Sequence, residues 1–318
     1  MRNSLLGGVV MVASLVAGTV FATNPAVAEE RFVFVSHAPD SDSWWNVVKN
    51  ALKNAEKDQG VKVEYRNPPT GDLADMARII QQATATNPDG IVTTIADFDV
   101  LQSAIQGAVA KGIPVITVNS GTAEQAKELG AFMRIGLPDY DAGKAIGERA
   151  KAAEVTKFLC VNHYITSAAS VERCQGYADG LGVELGGQMI DSGSDPTLVY
   201  NKVKAYLSVN PDTDGILLLG PNGADPVIRY LRDTGSRSKF KSIITFNLDG
   251  DINEAIKDGT IDSAIDQQPY LQGYLPIVFL TQYVRYGVMP VNNEISTGPS
   301  FVTKENIGLV EKLAGEYR

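Results

Sequence analysis

Asn87-Pro88-Asp89-Gly90-Ile91-Val92, followed a helix's length later by Gly112-Ile113-Pro114-Val115-Ile116-Thr117-Val118-Asn119, recurs in outline as Asn210-Pro211-Asp212-Thr213-Asp214-Gly215-Ile216-Leu217 and then Ser242-Ile243-Ile244-Thr245-Phe246-Asn247. In each copy a Pro-Asp turn releases an apolar run, a helical pattern intervenes, and a second apolar run ends in asparagine. Apolar, β-branched runs separated by helices are buried on both faces, which is the mark of a parallel sheet covered by helices. Any two Pro-Asp-Gly-strand units look alike, but the second match at a similar distance points to one lobe present twice.

The same rhythm extends in both directions. Strands are predicted at Phe32–Ser36, Val61–Tyr65, Gly90–Ile95, Pro114–Val118, Phe132–Ile135, Lys157–Val161, Gln188–Ile190, Gly215–Leu219, Ser242–Phe246 and Asp262–Ile265. Helices intervene, among them Trp44–Asp58, with Val47, Val48, Ala51, Leu52 and Ala55 on one side, Asp72–Ala85 and Val100–Lys111. The expectation is an α/β chain of two doubly wound parallel-sheet lobes.

Ahead of the first strand, Arg2, the apolar run Leu5–Val20 and Ala26-Val27-Ala28 have the layout of a cleaved export signal. The run is short for a bilayer span of about 20 residues, which disfavours a membrane anchor. Residues 1–28 are therefore expected to be removed, leaving 290 residues from Glu29 in the periplasm. That length exceeds a typical domain of roughly 100–200 residues. The formal net charge of −9 becomes one unit more negative when Arg2 is lost. Lys and Arg are scattered among Asp and Glu, so no nucleic-acid partner or anionic membrane surface is indicated. Cys160 ends a predicted strand and Cys174 lies on the next helix, so a disulfide is geometrically possible, with two buried thiols as the alternative. No Cys-x-x-Cys or His-x-x-x-His spacing suggests a metal, and no cofactor is expected.

Open parallel sheets bind ligands beyond the carboxyl ends of their strands. The residues predicted there are Ser36, His37, Asp97, Asn119, Ser120, Asn162, His163, Asn222, Asn247, Asp249, Gln267 and Gln268. The set is rich in amides and carboxylates, lacks Lys and Arg, and suits a ligand bearing many hydroxyls. Singly, each of these residues is as good a turn former or helix cap. Trp44 and Trp45 can cover an apolar sugar face, although adjacent helix positions cannot both point the same way, so one ring is assigned to the core.

Enzyme readings find little support. The first strand–helix turn, Pro39–Ser43, has no glycine for a dinucleotide. No G-x-S-x-G or phosphate-loop motif occurs. His37 and His163 fall one in each lobe, placed to meet as acid and base, to clasp a metal, or simply to hydrogen-bond. Asp40/Asp42 and Asp249/Asp251 resemble carboxylate pairs but also resemble caps.

The layout resembles the periplasmic sugar-binding proteins of ABC importers, the ribose-binding-like branch of the type I periplasmic binding fold, over essentially the whole processed chain. Asp42-Ser43-Trp44-Trp45, Gly112–Asn119, Glu172-Arg173 with Gly176-Tyr177, Gly220-Pro221-Asn222, and Asp258–Pro269 with Gln267 carry the similarity. The resemblance implies ligand contacts at Asp42, Trp44, Trp45, Asn119, Asn222, Asn247 and Gln267, with Asp249 replacing Asn247 if the alignment shifts. Family members that bind aldopentoses often carry arginines where this chain has Ser120 and Val171; His163, Asn162 or Arg173 are the candidates to compensate. The resemblance also implies lobes at 29–136 plus 268–296 and 137–267 plus 297–318, joined by three crossings. The implied protein is a monomer that closes on a neutral sugar or polyol and delivers it to an ABC permease. The alternative is a periplasmic sensor feeding a chemoreceptor or sensor kinase; a DNA-binding repressor is excluded by the export signal.

Overall fold

The computed structural model describes residues 29–313 and 316–318; the expected export segment, 1–28, lies outside the described residues. The first half of the chain alternates β1 (Arg31–Val35), α1 (Trp45–Gln59), β2 (Lys62–Arg66), α2 (Leu73–Ala85), β3 (Gly90–Thr93), α3 (Phe98–Ala110), β4 (Val115–Val118), α4 (Ala123–Glu128) and β5 (Met133–Gly136). The second half repeats the pattern with α5 (Asp139–Ala152), β6 (Phe158–Asn162), α6 (Ala168–Leu181), β7 (Met189–Asp191), α7 (Pro196–Val209), β8 (Gly215–Leu218), α8 (Pro221–Thr234), β9 (Ser242–Phe246), α9 (Gly250–Asp258) and β10 (Ser263–Asp266). Then come α10 (Pro269–Tyr286), β11 (Glu294–Ser296) and β12 (Ser300–Thr303).

Two six-stranded sheets result, ordered β11-β5-β4-β3-β1-β2 and β12-β10-β9-β8-β6-β7. All pairings are parallel except β10–β12. The strands bury both faces, as their apolar runs require. Val33, Val35 and Ile91 pack with Met76, Ile80 and Leu101 on one side of the first sheet. Phe32, Phe34 and Val92 pack with Val48, Leu52, Ile277 and Leu280 on the other. The predicted strands are found within one or two residues. The sequence reading missed β11 and β12, three- and four-residue edge strands with only half-buried patterns.

The chain passes between the sheets three times, at Gly136–Asp139, Asp266–Pro269 and Ser296–Ser300. These crossings are knitted together. Thr297 N–H donates to the Gly136 carbonyl at 3.0 Å. Gln272 Nε2 donates to the Gln267 carbonyl and to Thr297 Oγ1, at 3.1 and 3.0 Å. Residues 316–318, expected with the second lobe, touch both: Asn50 donates to the Glu316 carbonyl at 2.9 Å and Tyr317 packs on Tyr270, while Arg318 pairs with Asp266 at the end of β10.

The cysteines are joined in a Cys160–Cys174 disulfide between β6 and α6, with Cα atoms 5.9 Å apart. Helices α5 and α6 touch through glycine. A Cβ placed on Gly143 would lie 2.3 Å from the Arg173 carbonyl oxygen, and one on Gly147 would lie 2.2 Å from that of Tyr177. Gly147→Ala must push the helices apart and is expected to lower stability by about 1–3 kcal/mol. Gly107→Ala, at a helical site open on all sides, should raise stability by about 0.5–1 kcal/mol. Urea-denaturation midpoints of the two variants check both signs.

Candidate functional site

Because every parallel strand ends toward the same edge of its sheet, the polar loops of both lobes face one interlobe cavity of about 650 Å³ of atom-free space, mouth included. His37, Asp42, Trp44, Trp45, Asn119 and Ser120 line it from the first lobe, and His163, Tyr164, Ser167, Ser170, Arg173, Leu219, Gly220, Pro221, Asn222, Asn247 and Gln267 from the second.

The repeated asparagines occupy equivalent places. Asn119 and Asn247 end β4 and β9 with φ of 61° and 63°, a left-handed conformation that asparagine tolerates better than most residues. Their N–H groups donate to the Ile135 and Ile265 carbonyls, one strand over in each sheet.

Fixed donors set the direction of the amides. Arg173 can only donate, and its Nη2 lies 3.1 Å from Gln267 Oε1. Gln267 Nε2 must then face outward, and it donates to Asn247 Oδ1 at 2.6 Å. That leaves the Asn247 NH₂ group free to donate into the cavity. On the facing side, Gln272 spends its NH₂ on the Gln267 carbonyl and Thr297, so its Oε1 accepts from Asn119 Nδ2 at 3.1 Å. Asn119 Oδ1 is thereby turned toward Ser120 Oγ, 3.0 Å away. Gly220 precedes α8 at φ 150°, a backbone conformation that side-chain-bearing residues rarely adopt.

Trp45 is 3% exposed and packs edge-on to Phe34 at 6.3 Å, a core residue whose ring still reaches the cavity wall. Trp44, half-buried, stands 5.0 Å from it at 74°. Asp42 accepts from Trp44 N–H at 3.1 Å, and burial raises its carboxyl above the usual range. Burial pushes the His37 imidazole down to about 4, with His163 nearby adding to the effect; burial does the same to His163, with Arg173 adding to it. Both rings are neutral near pH 7. His37 Nδ1 pairs with Thr94 Oγ1 at 3.0 Å. Tyr164 stands beside both histidines, at 5.5 and 6.5 Å between ring centroids. Among the described residues no group of three or more His, Cys, Asp or Glu is placed to hold a metal.

Several sequence candidates lie elsewhere. Asp249 is outside the cavity; its carboxylate caps α9 by accepting from Ile252 N–H at 2.8 Å. Asp97 caps α3 in the same way, accepting from Val100 N–H. Asn162 is buried, and its Oδ1 accepts from Tyr164 N–H. Ser36 pairs with Tyr65, and Gln268 is not among the lining residues. The strand-end candidates included no arginine, but Arg173, one of the residues named to compensate for those absent at Ser120 and Val171, reaches in from α6, is 7% exposed and lines the cavity. Tyr164, Ser167 and Ser170 were missed because they follow β6 in a loop and helix start without distinctive composition.

Residues 32–287 match the family model described as the periplasmic binding protein domain, and the chain belongs to that family. Among solved structures it is similar to a carbohydrate transporter from Acidothermus cellulolyticus determined with myo-inositol, at 32% identity and a TM-score of 0.82 over 90% of this chain and 98% of that one. It is also similar to the xylose/arabinose-binding protein of Sulfolobus acidocaldarius, 23% identical over 91% of this chain and 75% of the relative. The ribose import binding protein of Bacillus subtilis is 24% identical, over 72% of this chain and 73% of the relative.

The two neutral histidines give a pH signature. An unfolded histidine binds its proton near pH 6.5, whereas these do so near 4. Between those values the unfolded state holds more protons, so folding weakens as pH falls, by up to about 1.4 kcal/mol per pH unit for each ring. Below about pH 4 this contribution flattens. The thermal midpoint of a His37→Gln/His163→Gln variant should fall less steeply than wild type from pH 6.5 to 4; parallel curves would contradict the buried, neutral assignment.

Proposed function

We propose that this member of the periplasmic binding protein family is an exported receptor that captures a neutral monosaccharide or cyclic polyol between its lobes and passes it to an ABC-type permease. The observation that carries the reading is the directed amide network of Arg173, Gln267, Asn247, Gln272 and Asn119, set opposite the Trp44–Trp45 wall. Such a surface presents both donors and acceptors to hydroxyls and an apolar face to ring C–H groups. In this reading the ligand contacts are Asp42, Trp44, Trp45, Asn119, His163, Asn222, Asn247 and Gln267, with Arg173 in place of the arginines absent at Ser120 and Val171. Asp249 is left to its helix.

The similarity to a carbohydrate transporter determined with myo-inositol supports testing cyclic polyols beside aldoses. The three short crossings suit rigid closure of the lobes over the ligand. No helix among the described residues is long and apolar enough to cross a membrane. In this reading the chain is cleaved after Ala28, and amino-terminal sequencing of periplasmic material should begin at Glu29. The proposed role is binding rather than turnover, in line with the sugar-binding relatives.

A thermal-unfolding screen of the processed protein against myo-inositol, D-xylose, L-arabinose, D-ribose and D-glucose tests the reading. A ligand at about 1,000 times its Kd adds about 4 kcal/mol of stability. Asn247→Ala and Trp44→Ala should then weaken the bound sugar by about 1–3 kcal/mol, roughly tenfold to a hundredfold in Kd. Salt should leave the affinity unchanged, because the ligand carries no charge. Wild-type affinity in both variants would remove the site from this cavity.

A further inference from the structure

One carboxylate sits where the lobes join. Asp139 is the first residue of α5, directly after the first crossing, and its side chain is fully buried. It accepts from Arg134 Nη2 at 3.2 Å and from Arg173 Nε at 2.7 Å. Arg134 belongs to β5 of the first lobe, and Arg173 to α6 of the second.

Each arginine also grips a loop that lines the cavity in its own lobe. Arg134 Nε donates to the Gly121 carbonyl at 3.0 Å, in the loop that follows Asn119. Arg173 Nη1 reaches the Leu219 carbonyl at 3.5 Å, in the loop that precedes Asn222. Arg134 is fixed further by the Leu137 carbonyl in the first crossing. We propose that Asp139 is a positioning residue that yokes the two cavity loops, 119–122 and 219–222, to the hinge through Arg134 and Arg173. The yoke sits at the pivot, where rotation moves atoms least, so it can stay closed while the lobes swing. Loop geometry in both lobes is then referred to a single point, and a ligand meets loops already aligned. Only the consequence for affinity rests on the binding reading above; the loop coupling does not.

Hydrogen–deuterium exchange on the processed, ligand-free protein tests the yoke directly, with the amides of β1 and β8 as the internal reference for global opening. Asp139→Asn, which keeps shape and removes charge, should speed exchange tenfold or more in both loops. Arg134→Lys should loosen 119–122 alone, and Arg173→Lys should loosen 219–222 alone, so the test survives if Asp139→Asn folds poorly. A purely structural carboxylate would give faster exchange in α5 and α6 or everywhere alike; that pattern, or unmoved loops, overturns the proposal. Calorimetry with myo-inositol and D-xylose separates it from the functional reading. A tenfold or greater rise in Kd for Asp139→Asn supports both. If wild type binds neither probe while the exchange pattern holds, the sugar reading suffers and the yoke stands. If wild type binds and Asp139→Asn binds equally well with unmoved loops, the yoke falls and the reading stands.

Discussion

The ion triad Arg134–Asp139–Arg173 is the constraint around which this molecule is arranged. Placing three charges at a site only a few percent exposed carries a desolvation cost of several kcal/mol per ion, offset only by good geometry and additional hydrogen bonds. Here the geometry is supplied by glycine. Gly143 lies four residues beyond Asp139 on α5 and rests against the Arg173 backbone, so α6 can come close enough for the 2.7 Å contact. The rest of the Arg173 guanidinium is satisfied by Gln267 and Leu219 and lies over the Phe246 ring at 4.4 Å. Helix packing, lobe junction and cavity wall thus depend on one another. A side chain added at the helix contact would also disturb the cavity.

The same triad decides what the cavity offers. With its charge directed at Asp139, Arg173 acts on the site mainly by orienting Gln267, which orients Asn247. Polarity is relayed along hydrogen bonds whose directions are fixed at one end by a group that can only donate. Gln272 does the same from the first lobe with a backbone carbonyl as the fixed end. Amides are ambiguous by nature, and this is how two of them acquire definite faces.

Much of the fold could be read in the sequence because its signals were local. The parallel strands are mostly apolar runs, and α2, α3, α4, α7 and α9 carry their own side-chain caps. The echo of Asn119 in Asn247 pointed to one lobe present twice, and the two residues share a left-handed conformation in the structure. What failed to show was whatever depends on partners distant in sequence. Glu294–Ser296 and Ser300–Thr303 become strands only because β5 and β10 lend them an edge. Arg173 could be singled out only through the family resemblance, since it is the distant α5 contact that turns it toward the cleft. Asp249, Asp97 and Asn162 passed as site residues for the opposite reason. The groups that cap a helix or brace a turn at a strand end are the groups that bind hydroxyls, and composition alone cannot separate the two uses.

The charge balance of the cavity supports the proposal of a neutral ligand. Arg173, its cation, is matched by Asp139 at 2.7 Å, Arg134, which shares that carboxylate, is matched in turn by Glu294 at 3.3 Å, and the two histidines are neutral through burial. Asp42, the carboxylate in the wall, would repel an anion. A phosphate or carboxylate entering the site would give up its water and find no uncompensated positive charge in return, at a cost that a few amide hydrogen bonds do not recover. A hydroxyl loses little on entering and both donates and accepts, which is what the oriented amides require. On this argument selectivity against charged molecules is set at the hinge, where Arg173 is neutralised, as much as in the cleft where a sugar would lie.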